Sequence, residues 1–372
     1  MLSSIVTGDC DVSPSSRRLY DRGLTAANGF KRILIRATNW LGDAVMSLPA
    51  LQALRERFPD AHIAVQARPW VAGLYRRERF ADEVIPYAAS TRAGDLHRRW
   101  KAARDLRSVG FDCAILLANS FDSALVVWLA GIPKRIGYSR DGRRLLLTDP
   151  VRCPRRGEIP RHERFYYLEL LRRAGMLESL PAADSIRLDG AADAYAAGRE
   201  RFASLGIREP VIGVSPGAAY GGAKRWLPDR FAESASTVAK ALGASVAIFG
   251  TPGEHVVCDA VAAGVRRAGC PVRNFAGETG LTEYIELAAG CRLILTNDSG
   301  AMHVAYALGV PVLAVFGATD HDATGPTGPL SRVVREPVEC SPCLLRECPI
   351  DHRCMTRVAA SRVAEEALKL LK

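Results

Sequence analysis

The strongest constraint on the fold is an alternation of short apolar runs with amphipathic stretches, and this alternation occurs twice. In the first half, the predicted elements are strands at 33–35, 62–66, 83–86 and 113–117 and helices at 42–57, 95–107 and 162–174. In the second half, they are strands at 211–214, 245–249, 293–296 and 310–316 and helices at 229–242, 254–268, 281–289 and 299–308. Strands that alternate with helices pair in parallel, with helices on both faces of the sheet. The chain is therefore predicted to form two doubly wound α/β domains in tandem.

The same patterns predict five segments. They are a flexible tail at 1–29, a first Rossmann-like domain at 30–180, a linker at 181–209, a second Rossmann-like domain at 210–355 and a bracing helix at 356–372. Pro181 and a run of Ala and Gly indicate the linker, and the region 134–164 has a basic, loop-rich composition. Because open α/β sheets bind ligands at the carboxyl ends of their strands, both domains are expected to present these ends to a shared cleft.

The net charge of +10 is concentrated in one half of the chain. Residues 31–180 contain 27 basic and 16 acidic side chains, an excess of +11, whereas residues 181–372 contain 20 and 21. A single basic half indicates that this half faces a polyanion or an anionic membrane surface. The alternative is a coding bias, since Arg supplies 43 of the 50 cations. No apolar run approaches the roughly 18 residues of a membrane span, and no signal peptide is recognisable, so a cytosolic location is expected.

Four of the ten cysteines form the pattern C-x2-C-x4-C-x5-C. They are Cys340, Cys343, Cys348 and Cys354, with His352 nearby. Thiolates at such spacing can hold zinc or an iron–sulfur cluster, but a structural loop of reduced thiols fits the pattern equally. Both alternatives stay open from the sequence. Residues 340–354 are called the cysteine-bearing segment below.

Two strand-to-helix junctions place a carboxylate and a lysine at strand ends. Asp43 follows the first predicted strand, where it can act as a general base or simply complement the dipole of the helix that it begins. Ser215 and Gly217 follow the strand 211–214 and precede Lys224. Small residues with free amides beside a lysine predict a phosphate cradle, and the alternative is a solvated glycine loop.

Two further junctions add a carboxylate and a helix N-terminus. Glu254 follows a strand at about the position where nucleotide-binding folds grip a ribose diol. Asp298 ends another strand, and the amides of Ser299 and Gly300 would point at an anion, with His303 one turn further on. These junctions predict a diphosphate held at helix N-termini. No G-x-x-x-x-G-K-[ST] motif is present, which disfavours a P-loop NTPase.

Five motifs in this chain resemble those of glycosyltransferase family 9, in the family's order and at compatible spacing. They are Asn39-Trp40-Leu41-Gly42-Asp43 with Pro49, Asn119-Ser120-Phe121-Asp122-Ser123-Ala124, Gly131-Ile132-Pro133-Lys134-Arg135-Ile136-Gly137, Ser215-Pro216-Gly217 through Ala223-Lys224-Arg225-Trp226-Leu227-Pro228, and Thr296-Asn297-Asp298-Ser299-Gly300 with His303. The resemblance runs from about Arg32 to the C-terminus. It implies a GT-B architecture, in which two Rossmann-like domains face a central cleft. It also implies an inverting, metal-independent and cofactor-free transfer of L-glycero-D-manno-heptose from ADP-heptose onto the inner-core heptose of lipopolysaccharide.

The resemblance further implies a role for each junction residue. Asp43 would take the proton from the acceptor hydroxyl, and Lys224 would stabilise the departing ADP. The implied substrate-binding residues are Ser215, Gly217, Glu254, Asp298, Ser299, Gly300 and His303. The acceptor would be Kdo-lipid A bearing heptose, reached by peripheral contact with the cytosolic face of an anionic inner membrane. Lipopolysaccharide thus replaces nucleic acid as the expected polyanion.

Two alternatives to this function stay open, and one motif bears on metal independence. A sister transferase of the family with another acceptor or sugar would share every donor motif. A non-catalytic nucleotide-sugar-binding protein would keep the cleft and need no base. Two D-x-D matches, Asp9-Cys10-Asp11 and Asp320-His321-Asp322, are of a kind that can hold a divalent cation. The first falls in the predicted tail, and the second follows the last predicted strand.

Overall fold

The chain divides between Ala183 and Asp184 into two units, each built on its own parallel sheet. A computed structural model describes residues 29–88 and 95–372. The strands of the first unit are β1 Arg32–Arg36, β2 His62–Ala67, β3 Glu83–Pro86, β4 Cys113–Leu116, β5 Lys134–Tyr138 and β6 Asp149–Val151. Its helices are α1 Leu41–Met46, α2 Leu48–Arg57, α3 Pro69–Tyr75, α4 Leu96–Val109, α5 Phe121–Leu129 and α6 Arg164–Arg173. All but one residue of the predicted tail 1–29 lie outside the described residues.

The first sheet has the strand order β3-β2-β1-β4-β5-β6, and all its strands are parallel. On one face of the sheet, Leu34 of β1 shares a core with Leu106 of α4 and Val127 of α5. Its neighbours Ile33 and Ile35 are fully buried on the opposite face, because side chains alternate along a strand. Helices therefore cover both faces of this sheet, as a doubly wound fold requires.

Two parts of the first unit differ from the sequence prediction. The predicted helix 42–57 is two helices, α1 and α2, because Pro49 in the first turn of α2 has no amide hydrogen to continue α1. The region 134–164, predicted to be rich in loops, contains strand β5 and the edge strand β6. Their polar residues face each other at the sheet edge, where Lys134 Nζ lies 2.6 Å from an Asp149 carboxylate oxygen. Charged residues on edge strands weaken the apolar signal that identifies a strand.

The second sheet has the order β12-β11-β10-β7-β8-β9 and is also fully parallel. Its strands are β7 Val211–Ser215, β8 Ser245–Ile248, β9 Val272–Asn274, β10 Leu293–Asn297, β11 Val312–Phe316 and β12 Ser331–Arg335. The helices of this unit are α7 Ala191–Ser204, α8 Pro228–Leu242, α9 His255–Arg267, α10 Leu281–Ala289, α11 Gly300–Ala307, α12 His321–Thr324, α13 Arg353–Thr356 and α14 Ala360–Leu370. Helices α8, α9 and α14 share one core with the strands. The prediction of two doubly wound α/β domains is confirmed.

The segment 181–209, predicted as a linker, contains helix α7, which packs against α10. Ala194, Gly198 and Phe202 form the buried stripe of α7 at i, i+4 and i+8. A Cβ added at Gly198 would lie 1.9 Å from the carbonyl oxygen of Glu286 in α10, so only glycine allows this close approach. Small residues that suggested a flexible connection thus form a tight helix–helix contact in the second unit.

Candidate functional site

Each sheet has one point at which the chain reverses its direction of winding, and the predicted site residues follow the strands at these points. In the first sheet, the reversal lies between β1 and β4, and Asp43 follows β1. In the second sheet, it lies between β7 and β10, where Ser215 ends β7 and Asp298 follows β10. Ligands of open α/β sheets bind outside the carboxyl ends of the strands at such points.

Lys224 and Asp298 form a buried ion pair in the second unit. Lys224 lies in a 3₁₀ turn, Gly222–Lys224, and its Nζ is 2.6 Å from Asp298 Oδ2. Thr319, which follows β11, donates its hydroxyl to the same oxygen at 2.5 Å. Both charged side chains are at least nine-tenths buried, so each depends on the other to offset the loss of hydration. Lys224 and Asp298 were predicted as site residues from the sequence, whereas Thr319 was not.

Asn297 connects the two strands at this switch point. Its Oδ1 accepts a hydrogen bond from the Trp226 amide at 2.9 Å, and its Nδ2 donates to the Pro216 carbonyl at 2.7 Å. The side chain is completely buried, so both of these bonds are protected from water. Asn297 therefore fixes the start and the end of the loop that carries Lys224, a role that the sequence analysis did not assign.

The cysteine-bearing segment supports the Lys224 turn from outside. The Ala223 amide donates to the Arg346 carbonyl at 2.9 Å, and the Gly222 amide donates to Glu347 Oε1 at 2.9 Å. A Cβ added at Gly221 would lie 2.3 Å from the Arg346 carbonyl oxygen. The glycines before Lys224 thus allow the close approach of this segment, and the alternative of a freely solvated glycine loop is wrong.

Tyr220 is a further residue of this site that the sequence analysis missed. Lys224 Nζ lies 5.1 Å and the Arg346 guanidinium 5.2 Å from the centre of its ring. The Tyr220 hydroxyl donates to the Leu344 carbonyl at 2.8 Å. An aromatic ring between two cations stabilises both through its π face and helps to hold the lysine in place.

The four clustered cysteines are free thiols. Cys354 is buried, and burial first, then the neighbouring charges of Cys340, Cys343 and Cys348, raises its pKa to about 11. Across residues 29–88 and 95–372, no group of three or more His, Cys, Asp or Glu side chains is placed to hold a metal ion. The segment contacts the Lys224 turn through its backbone, through Glu347 and through His352, whose Nε2 lies 3.1 Å from the Ala223 carbonyl oxygen.

Glu254 lies against Gly217 at the carboxyl ends of β8 and β7. Its Oε2 accepts hydrogen bonds from the Thr251 amide and hydroxyl, both at 2.8 Å, in a capping box. A Cβ added at Gly217 would lie 2.0 Å from Glu254 Oε1. The glycine is therefore required for the carboxylate to occupy this position, which brings two predicted site residues together.

The remaining predicted residues of the second unit cluster around the N-terminus of α11. Ser215 pairs with Thr296 of β10 in the sheet register, and the Thr296 and Ser299 hydroxyls lie 3.3 Å apart. Ser299 is the N-cap residue of α11, and Gly300 begins the helix. His303 is buried, and its Nδ1 lies 2.9 Å from the Tyr306 hydroxyl, which fixes the ring from within α11.

Asp43 occupies the first turn of α1 in the first unit and is half-buried. Two buried tyrosines, Tyr75 and Tyr167, lie near it. Burial is the main cause that raises the pKa of each tyrosine, and the Asp43 charge raises the pKa of both further. The carboxylate therefore sits beside neutral hydroxyl groups, within a part of the structure that excludes much of the water.

An arginine and a tryptophan extend the Asp43 turn. Arg68 Nε donates to Asn39 Oδ1 at 2.9 Å, and Trp70 Nε1 donates to the Asn39 carbonyl at 3.1 Å. The Arg68 guanidinium lies 5.5 Å from the centre of the Trp70 ring, which is exposed. Cationic and aromatic groups of this kind can bind an anionic ligand, and neither residue was predicted from the sequence.

The family model for glycosyltransferase family 9 (heptosyltransferase) matches residues 99–353. The chain belongs to glycosyltransferase family 9. The lipopolysaccharide heptosyltransferase 2 of Escherichia coli K12 is 35% identical over 311 residues, which cover 82% of this chain and 88% of that protein. The corresponding protein of Salmonella typhimurium LT2 is 33% identical over 310 residues, with the same coverage. The solved structure of the E. coli ADP-heptose lps heptosyltransferase II has 31% identity and a TM-score of 0.76, and the match covers 92% of this chain and 98% of that one.

These similarities confirm three expectations for this family 9 chain. It has the α/β fold of GT-B heptosyltransferases, it is a glycosyltransferase, and its relatives favour the second-heptose transferase over the alternatives. Within the family, the five sequence motifs therefore resemble ADP-heptose:lipopolysaccharide heptosyltransferase II in particular. No helix in the described part of the chain combines the length and the apolar composition needed to cross a bilayer.

One family motif of this transferase has a structural basis in a buried arginine. The Arg143 guanidinium is completely buried and donates to Asn119 Oδ1 at 2.9 Å, to Ser123 Oγ at 3.1 Å and to the Ala118 carbonyl. Burial lowers the pKa of Arg143 to about 10. The motif that begins at Asn119 is thus the partner of a buried cation, which holds the turn after β4 in one conformation.

The two D-x-D matches of this transferase have different positions. Asp320 Oδ1 accepts a hydrogen bond from the Asp322 amide at 3.0 Å and caps helix α12. The match at Asp9-Cys10-Asp11 lies outside the described residues. The capping role explains the Asp320 carboxylate without reference to a ligand.

Proposed function

We propose that this transferase moves L-glycero-D-manno-heptose from ADP-heptose onto the inner-core heptose of a Kdo-lipid A acceptor. The observation that carries the proposal is the buried Lys224–Asp298 pair beside the N-terminus of α11. A cation and first-turn amides at one switch point suit a diphosphate. The names of the E. coli and Salmonella relatives supply the sugar and the lipopolysaccharide acceptor.

In this proposal the second unit binds ADP-heptose. The amides at Ser299 and Gly300 and the Lys224 ammonium contact the diphosphate, which Ser215 and Gly217 line. One oxygen of Glu254 accepts hydrogen bonds from Thr251. Its other oxygen accepts a hydrogen bond from a ribose hydroxyl of the nucleotide. His303 orients the start of α11 through Tyr306.

Asp298 keeps the lysine in position before the nucleotide arrives. Its carboxylate binds Lys224 and Thr319, so Lys224 cannot swing into solvent. The pair carries no net charge, and the binding of a diphosphate adds negative charge that the lysine and the helix amides partly neutralise. Donors placed in this way before the reaction stabilise developing charge without reorganisation.

Asp43 acts as the general base toward the acceptor. The acceptor hydroxyl oxygen attacks the anomeric carbon of the heptose as its proton passes to the Asp43 carboxylate. The bond from this carbon to the β-phosphate oxygen breaks, and both of its electrons leave with ADP. Attack on the face opposite ADP inverts the anomeric configuration. Lys224 and the amides of α11 stabilise the charge on the departing phosphate. In this proposal, neither the proton transfer to Asp43 nor the departure of ADP requires a metal ion.

The proposal places this reaction at the cytosolic face of an anionic inner membrane. The excess of +11 in residues 31–180 supports this location, because a phosphorylated, Kdo-bearing lipid and its membrane are both anionic. Arg68 and Trp70 lie beside the Asp43 turn and are suited to the acceptor sugars.

A mass-resolved transfer assay tests the proposal. The protein is incubated with ADP-heptose and EDTA, and with Kdo-lipid A that carries either no heptose or one heptose. Transfer to the one-heptose acceptor alone is the expected result. Asp43→Asn should lower kcat by about 10²-fold to 10⁴-fold, the usual contribution of a general base.

The control is Asp229→Asn, because Asp229 also lies in the first turn of a helix, α8, at an exposed position. If Asp43 only complements a helix dipole, the two variants should behave alike, with stability changes of about 0.3–1 kcal/mol and near-normal transfer. Transfer to the heptose-free acceptor would instead indicate a sister transferase. Loss of transfer in EDTA would contradict the metal-independent mechanism.

A further inference from the structure

One helical layer of the first unit exposes large apolar side chains among cations. Helices α4 and α5 lie side by side on the sheet, and a 3₁₀ turn, Arg144–Leu146, packs against α5. Leu145 in this turn is 91% exposed, Trp100 of α4 is 57% exposed and Trp128 of α5 is 47% exposed. We call the following residues of this layer the aromatic–basic face: Leu96, Trp100, Lys101, Arg104, Phe121, Trp128, Arg144 and Leu145.

The exposed apolar residues are separate from those that form the core. Ala103 and Leu106 of α4 and Val127 of α5 are buried against the sheet. Leu96 and Trp100 are four residues apart, one turn along the solvent side of α4. Each helix therefore satisfies its core with one side and still presents bulky apolar groups on the other.

An ion pair and a hydrogen bond to a backbone carbonyl join the two helices, and two cations of α4 take no part in these contacts. Arg99 Nε lies 2.7 Å from an Asp122 oxygen, and Arg107 donates to the Leu129 carbonyl at 2.6 Å. Lys101 and Arg104 are exposed and form no ion pair with residues 29–88 or 95–372. Their charges are available to a partner outside the chain.

The combination of side chains identifies the chemistry of that partner. Tryptophan is preferred at the boundary between lipid headgroups and hydrocarbon, and lysine and arginine are attracted to anionic headgroups. A nucleic acid would engage the cations but would give the exposed leucines no apolar surface to enter. Four of the five tryptophans lie in the first unit, and all four are exposed, whereas Trp226 in the second unit is buried.

We propose that the aromatic–basic face docks this enzyme onto an anionic phospholipid bilayer. Lys101, Arg104 and Arg144 contact the headgroups, and the apolar side chains enter the boundary between headgroups and acyl chains. This inference rests on the proposed function for its biological setting, because the acceptor is a membrane lipid. Its test does not depend on any transfer reaction.

Cosedimentation with vesicles measures the docking directly. The full-length protein should bind vesicles of phosphatidylethanolamine and phosphatidylglycerol, bind phosphatidylcholine vesicles weakly, and lose affinity as salt is added. Lys101→Glu/Arg104→Glu should weaken binding to the anionic vesicles at least about tenfold. Trp100→Ala/Trp128→Ala should weaken it by a similar factor through lost apolar contact.

The matched control is Arg266→Glu/Arg267→Glu, which makes the same change of charge on exposed arginines at the end of α9 in the second unit. It should leave vesicle affinity within about twofold of the wild type. Circular dichroism verifies that all variants are folded, as expected for exposed positions.

Three results would overturn the inference: no binding of the wild type to the anionic vesicles, unchanged binding of both face variants, or an equal loss of binding in the control. Transfer to a deacylated, water-soluble acceptor separates this inference from the proposed function. If the face variants lose vesicle binding but retain this soluble transfer, both proposals stand. If the wild type binds vesicles through the face and transfers no heptose to either acceptor, only the proposed function fails.

Discussion

The Lys224–Asp298 pair makes a quantitative prediction that separates stability from catalysis. Replacing Lys224 by methionine keeps the length of the side chain and removes its charge. Asp298 then remains buried, with the Thr319 hydroxyl as its remaining partner among the contacts described above. Removing one member of a buried ion pair costs about 3–5 kcal/mol of unfolding free energy, and the Thr319 hydrogen bond places the expected loss near the lower end, at about 3 kcal/mol.

The double variant Lys224→Met/Asp298→Asn removes both charges. Because no buried charge is then left without its partner, its loss of stability should be only about 1 kcal/mol, less than that of either single variant. Transfer should not follow this recovery. The kcat/KM for ADP-heptose should fall about 10²-fold or more in Lys224→Met and stay low in the double variant, since the diphosphate still lacks its cation.

Urea unfolding followed by circular dichroism and initial-rate kinetics give the two quantities. The control is Lys240→Met, on the exposed side of α8. It should change the free energy of unfolding by no more than about 0.5 kcal/mol and kcat/KM by no more than about twofold. If the stability losses of the two single variants simply add in the double variant, the charges do not stabilise each other. If kcat/KM recovers together with stability, the role of Lys224 is structural.

Two other substitutions test close contacts. Gly217→Ala should displace Glu254, because the new Cβ would lie 2.0 Å from Glu254 Oε1. The displacement should raise the KM for ADP-heptose. Loss of the hydrogen bonds between Glu254 and Thr251 should also lower the free energy of unfolding by about 1 kcal/mol, measured by thermal unfolding. A normal KM would show that the Glu254 position is not used in binding. Arg143→Met should lower the free energy of unfolding by about 3 kcal/mol, since Asn119 and the Ala118 carbonyl lose a charged donor. An unchanged midpoint of urea unfolding would contradict this structural role.

The sequence was sufficient to predict which candidate residues lie at the carboxyl ends of strands. Apolar runs identify β7 and β10, and polar or charged residues immediately after such runs indicate a ligand. Asp298 was selected on this basis and Lys224 as the cation beside the small residues that follow β7, and the structure joins the two at 2.6 Å. The carboxyl ends of parallel strands lie at one edge of the sheet, whatever the order of the strands. Residues that follow these strands can therefore be assigned to that edge from the sequence.

Residues whose roles depend on strand order were not predictable in this way. Thr319 reaches Asp298 because β11 pairs with β10, and Asn297 reaches Pro216 because β10 pairs with β7. A local pattern contains no record of such pairing. Arg143 has the same limitation, because an arginine in a basic stretch is indistinguishable from a surface charge until its burial is known.

The Lys224 loop depends on residues that lie more than 120 positions further along the chain. Trp226 Nε1 donates to the Val358 carbonyl at 3.3 Å. Ser234 Oγ, in the following helix α8, donates to the Ala360 carbonyl at 2.9 Å. The first unit, by contrast, contains all of its own strands before Ala183 and can fold while the rest of the chain is being made. A growing polypeptide can therefore fold its first unit before the residues that complete the Lys224 loop have been made. A chain that stops short of Val358 lacks the carbonyl groups that hold Trp226 and Ser234 beside this loop.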